Sequence, residues 1–195
     1  MKRTTGLVMI LMLAIACLAC SKEEKKEAVA EPQTALAMDG GYALEAGKIK
    51  LFWHIVEKNI NIKLSAPTAG WVGIGFNPAE EMKDANFIIG YVKDGEVKVI
   101  DHHGSGKRQH RDDIALGGTD NVTGATGSES DGVTEIGFSL PLQTGDSLDG
   151  SLQPAADTIV LLAFGMTDRL AQQHVHRARL KLNLANGKYQ ILMLE

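Results

Sequence analysis

Methionine and histidine are the side chains whose placement in this sequence could do chemistry. Met82 stands between Glu80-Glu81 and Lys83-Asp84. A thioether there can pack as a flexible gap-filler or ligate a metal that accepts sulfur. His174 and His176 share parity with Ala178, Leu180, Leu182 and Leu184. If that strand reaches back far enough, both imidazoles project inward with the leucines; if it starts later, both lie solvated in the preceding loop. A buried imidazole must stay neutral or find a partner. His102, His103 and His110 form a second group, among Asp101, Lys107, Arg108, Arg111 and Asp112-Asp113. Imidazole and carboxylate together can hold a divalent metal, and the same stretch reads equally as an exposed, glycine-rich loop. Trp53 and Trp71 lie in apolar runs and read as core residues. The glycines around Trp71 also permit close approach of a neighbouring strand or a flat ligand.

The elements that must position these groups have a period of two. Ile60, Ile62 and Leu64 alternate with polar residues, as do Val97 and Val99, and Ile136, Phe138 and Leu140. Such alternation predicts strands buried on one face. Leu51 to Trp53, Trp71 to Phe76, Phe87 to Val92, Ile159 to Phe164 and Ile191 to Leu194 are continuous apolar runs, suited to strands covered on both faces. Turn residues separate them, and Asp94-Gly95 and Asn186-Gly187 predict hairpins. Only Pro78 to Ala85 suggests a helical turn, with proline near its start. Many short strands with polar turns imply an all-β, antiparallel sandwich.

At Gly70-Trp71-Val72-Gly73-Ile74-Gly75-Phe76-Asn77 the sequence resembles the DOMON family, whose domains carry a Gly-Trp-Val-x-Ile-Gly-Phe strand. The likeness continues in family order through Met82 to Ala85, Phe87 to Val92, Asp101, Leu116 to Val122, Thr134 to Phe138, Pro141 to Asp146, Ala163 to Gly165 and His174 to Arg177. It implies an immunoglobulin-like sandwich with a ligand pocket between or at the end of its sheets. In haem-binding members the iron is held by a methionine after the glycine-tryptophan strand and a histidine near the C-terminal end. By position these are Met82 and His174, with His176 as the other histidine in register. Ala178 stands where the family more often has glycine. The resemblance further implies non-covalent haem b, porphyrin walls from strands 71–76 and 159–164, and propionate pairing by Arg108, Arg111 or Lys107. Other members are thought to bind sugars, for which an exposed tryptophan such as Trp71 could stack on a pyranose ring.

Composition narrows the function further. The net charge is −4 and the basic residues are scattered, so nucleic acid is not an expected partner. The cysteines, Cys17 and Cys20, both precede the domain, which leaves it without disulfides, iron–sulfur clusters or thioether-attached haem. No nucleophile-elbow serine, HExxH or phosphate-cradling loop occurs, so a carrier or binding module is expected and not an enzyme. Met1-Lys2-Arg3, the apolar run Gly6 to Ala16 and a small residue before each cysteine read as an export signal with a lipobox over residues 1–20. Cys20 is the favoured lipidation site and Cys17 the alternative. Residues 21–40, charged and interrupted by Pro32, read as a flexible tether to a domain spanning 41–195. The expected protein is a haem-binding electron-transfer module, lipid-anchored in the cell envelope, facing the periplasm or cell exterior. Its expected partner is another exported or membrane redox protein; the alternative is an envelope carbohydrate-binding module.

Overall fold

A computed structural model describes residues 30–195; Cys17, Cys20, the export signal and the first part of the tether lie outside the described residues. Fourteen strands follow one another: β1 Gln33–Thr34, β2 Leu36–Met38, β3 Gly41–Ala46, β4 Ile49–Val56, β5 Asn59–Ala66, β6 Val72–Phe76, β7 Asn86–Lys93, β8 Glu96–Gly106, β9 Gln109–Asp112, β10 Thr123–Ser130, β11 Val133–Pro141, β12 Asp157–Phe164, β13 His176–Asn183 and β14 Lys188–Leu194. They form an eight-stranded sheet, β1-β14-β13-β12-β6-β7-β8-β9, and a six-stranded sheet, β10-β11-β5-β4-β3-β2. Every pairing is antiparallel, which makes the protein the all-β sandwich that the alternating residues predict.

The inward parity of each strand fills the space between the sheets. Leu51, Trp53, Ile60, Ile62 and Leu64 meet Val72, Ile74, Phe76, Val160, Leu162, Phe164 and Leu180 in one continuous core. The Trp53 indole N–H donates to the Leu184 carbonyl at 2.9 Å, which satisfies the core's largest polar handle. At the Asp94-Gly95 turn both residues have positive φ, 53° and 80°, as a two-residue hairpin whose twist matches its strands requires.

Three local expectations are corrected. Pro78 to Ala85 is not helical: it is an irregular loop with a Glu80–Lys83 bridge and positive φ at Glu81 and Asp84. Residues 101–113 are not a loop: they complete β8 and form β9, because the tip at Lys107-Arg108 folds the chain back on itself. Strand pairing also begins N-terminal of the expected boundary at Gly41. Gln33–Thr34 joins β14, Leu36–Met38 joins β3, and Ala35 between them is buried. Backbone pairing at a free sheet edge orders a segment whose composition alone predicts disorder.

Candidate functional site

The outward parity of the eight-stranded sheet carries a second apolar cluster. Because Val72, Ile74 and Phe76 face the core, Gly73 and Gly75 must face outward. The ladder sets Leu161 and Phe87 on either side of Gly75, and Ala163 and Ile89 on either side of Gly73. Trp71, Ala85, Phe87 and Ile89 are buried in this cluster, and Met82, Tyr91, Leu161, Ala163 and Leu170 pack against it. The middle of the face is therefore apolar and floored by backbone. A Cβ built on Gly73 would come within 3.3 Å of the Ile89 side chain, and one on Gly75 would run into the Phe87 ring.

Two loops border this face, one carrying Met82 and the other Leu170 and, further along, His174. The β6–β7 loop holds Met82 half-buried against the cluster. It is clamped by the β8–β9 hairpin: Met82 N–H donates to Lys107 O at 3.1 Å and Asp84 N–H to Gly104 O at 2.8 Å. Ion pairs Lys107–Glu80 at 2.6 Å and Arg108–Glu81 at 3.2 Å reinforce the contact. Gly104 permits it, since any Cβ there would strike the Met82 carbonyl. The β12–β13 loop brings Leu170 onto the cluster and holds His174 half-buried just before β13. Burial, and then the Arg177 charge, lower the affinity of His174 for a proton, against an opposing pull from Glu195. Neutral imidazole, the form that ligates metals, is thereby favoured.

His176 takes a different place. It opens β13 opposite Phe164, its ring centroid 5.6 Å from that ring, and its Nε2 accepts the Lys48 N–H at 3.3 Å. That imidazole is engaged at the end of the sandwich. The 101–113 histidines also separate. His102 and His110 lie on the outer face beside Phe87, their Nδ1 atoms 2.9 Å apart, while His103 turns to the Leu148 carbonyl at 2.8 Å. Burial lowers both paired histidines, His110 to about 4, and the His102 neighbour adds to that shift. One Nδ1 must donate and the other accept, so both rings cannot be charged at once. The three imidazoles therefore do not converge on one metal.

Arg108 is exposed and paired with Glu81, and Arg111 is exposed on β9 opposite His103. Two donors lie in better-screened positions: Trp71, which the sequence offered, and Arg179, which it did not. Trp71 Nε1 and Arg179 Nε are buried with no partner in the protein. Arg179 stands opposite Leu161 on the outward parity, at the flank of the glycine floor. Its signal was present as an arginine within an alternating strand, where an outward basic residue ordinarily reads as solvated. The apolar inner faces of strands 71–76 and 159–164 line no pocket, since they pack into the core; the outer faces of these strands make the cradle.

The whole is an antiparallel β-sandwich whose larger sheet carries an apolar cluster on its outer face, bordered by the loop of Met82 and the loop of Leu170 and His174. The sequence profile of the DOMON domain matches residues 45–165, and the chain belongs to that family. MOXD1 homolog 2 of Drosophila melanogaster is 33% identical over 54 residues, which is 28% of this chain and 7% of that protein. The matched stretch is thus a small part of that relative's length. The fold is similar to the cytochrome b domain of pyranose dehydrogenase from Coprinopsis cinerea, with TM-score 0.51 and 15% identity over 70% of this chain and 77% of that one. It is also similar to the cytochrome domain of Myriococcum thermophilum cellobiose dehydrogenase, with TM-score 0.50 and 12% identity over 82% and 86% of the two chains.

Proposed function

We propose that the chain is a haem-binding electron-transfer module that carries haem b on the outer face of the eight-stranded sheet, with Met82 and His174 as its ligands. The observation that carries this reading is the glycine-floored apolar face itself, bordered by the loops of Met82 and of Leu170 and His174. Phe87 and Ile89 close over Gly75 and Gly73, and the flat apolar group would lie against the surface that these side chains make with Met82 and Leu161. The unpartnered N–H groups of Arg179 and Trp71 suit an anionic ligand edge such as a propionate, because a buried donor left unpaired is costly. Haem bound there would supply a one-electron ferric–ferrous couple, and methionine–histidine ligation favours electron transfer over reaction at an open site.

Each residue of the chain has its part in that reading. Phe87, Ile89, Leu161 and Ala163 exclude water from the face, and the β8–β9 hairpin fixes the loop that presents the thioether. The carbohydrate alternative calls for an exposed aromatic platform, and Trp53 and Trp71 are 1% and 6% exposed. Lipidation at Cys20 or Cys17 and the tether after it complete the proposal, placing the module at a membrane in the cell envelope, where another exported or membrane redox protein supplies or accepts the electron. No helix among the described residues is long and apolar enough to cross a membrane.

Titrating the full-length apoprotein with hemin tests the reading. One equivalent should quench tryptophan fluorescence through Trp71 and give a low-spin absorption spectrum after reduction. Hemin that stays high-spin, or binds without saturation near one equivalent, would contradict it.

A further inference from the structure

On the inward side of β8 the chain brings together a group that the haem reading does not use. Asp101 of β8, Asp113 just after β9 and Asp149 of the β11–β12 connection each offer a carboxylate oxygen, all within 4.8 Å of one another. The three residues are 2%, 0% and 8% exposed. A cluster of this kind would normally be dissolved by hydrogen bonds or a lysine. Here both Asp113 oxygens, Asp101 Oδ1 and Asp149 Oδ1 are buried without a partner. The few bonds nearby are local: Asn121 N–H donates to Asp101 Oδ2 at 3.1 Å, and His103 spends Nδ1 on the Leu148 carbonyl.

Asn121 lies beside the group without joining it: its side-chain amide nitrogen donates to Asp149 Oδ2 at 2.8 Å and to Thr119 O at 3.1 Å. The remaining carboxylate oxygens face one another unpartnered, which is unfavourable unless protons or something positive sits among them. Oxygen atoms sharing one calcium ion at 2.3–2.6 Å lie at most about 5 Å apart, the span this group occupies. Magnesium needs shorter bonds and retains several waters, for which a fully buried Asp113 leaves little room. Zinc prefers nitrogen and sulfur donors, and His103 is engaged elsewhere.

We propose that Asp101, Asp113 and Asp149 form a calcium site that ties the end of β8 to the segment after β9 and to the β11–β12 connection. The site is separate from the haem face, although Asp101 and His102 are neighbours pointing to opposite sides of the same strand. Burial raises Asp101 to about 8, with Asp149, Asp113 and Asp120 adding to the rise. Burial likewise lifts Asp113 to about 6, with Asp149, Asp146 and Asp112 pushing the same way and His103 opposing. Asp149 is raised by its burial and by Asp146, with Thr144 and His103 opposing.

Calorimetry on the full-length, chelator-treated chain with calcium chloride, and magnesium chloride in parallel, provides the test. One calcium per chain should bind, with thermal stability rising on addition and returning with chelator, and magnesium should do neither comparably. Asp113→Asn and Asp149→Asn keep the shape and remove a charge. Each should lose the calcium response, at least about tenfold in affinity, while melting no lower than the chelated wild type. Should either variant misfold, the wild type still decides, because its melting temperature should rise with calcium and return with chelator. Absence of saturable binding up to about 10 mM calcium, or a calcium response intact in both variants, overturns the site.

Discussion

The outer face of the eight-stranded sheet and the buried carboxylate group sit on opposite sides of one strand and are unsatisfied in opposite ways. The face offers thioether, neutral imidazole and unpaired N–H donors around an apolar floor. The carboxylate group offers only oxygen acceptors. A sandwich this well filled between its sheets has no structural reason to leave either set unpaired, since each orphaned buried group costs about 1–3 kcal/mol. On the proposed readings the difference matches two kinds of ligand: a flat one with an anionic edge on the face, a hard cation in the carboxylate group. Their proton equilibria differ accordingly. The histidines of the face are lowered by burial, whereas the aspartates behind it are raised by the same cause.

The comparison breaks most sharply at the floor. Gly73→Val places a branched side chain against Ile89 on the outer face and leaves the core parity untouched. Haem affinity should fall by about a hundredfold or more, with a melting temperature within about 5 °C of wild type and calcium binding unchanged. Retained haem would move the site off this face. Arg179→Leu is the next test. Removing an unpaired donor should not harm the apoprotein, but haem affinity should drop about tenfold if the guanidinium meets a propionate. Equal affinity in a hemin titration would leave Arg179 outside the site.

Smaller effects sharpen the account. Gly104→Ala drives a methyl group into the Met82 carbonyl and should cost about 1–3 kcal/mol while loosening the methionine loop. A spectrum that loses its methionine character without losing haem is the expected signature; one identical to wild type would mean the hairpin does not position Met82. The smallest effect is on acid stability. His110 is lowered from 6.5 to about 4, so its contribution is full above about pH 6.5 and is lost as pH falls toward 4. His110→Phe should flatten that limb of the melting profile by about 5 °C. An unchanged limb would place the acid sensitivity elsewhere.

Much of this arrangement was legible in residue order. Alternation at Ile60 to Leu64 and at Ala178 to Leu184 gave the strands their inward faces, and the Gly70 to Asn77 strand with its successors gave the family. Met82 and His174 were named as candidate ligands by position; Met82 packs against the outer cluster, and so does Leu170 of the loop that leads to His174. What was not legible depends on pairing partners distant in sequence. Gln33 to Met38 looks disordered until β14 and β3 supply edges, and His102, His103 and His110 look like one cluster until β8 alternation divides them. Asp101 and Asp113 read as part of one possible metal group with the neighbouring histidines, and Asp149 did not stand out at all, because only the fold of β8, β9 and the β11–β12 connection brings the three carboxylates together. Arg179 was hidden for a related reason: alternation marks it as outward, but not that the outward face there is covered.

The central claim, haem held by Met82 and His174, is tested most directly by the reduced-minus-oxidised visible spectrum of the hemin-loaded chain beside its Met82→Ala and His174→Ala variants. The account predicts sharp low-spin α and β bands in the wild type, altered reduced bands in Met82→Ala and loss of most haem in His174→Ala. Wild-type spectra in both variants, or a wild type without low-spin bands, would contradict it.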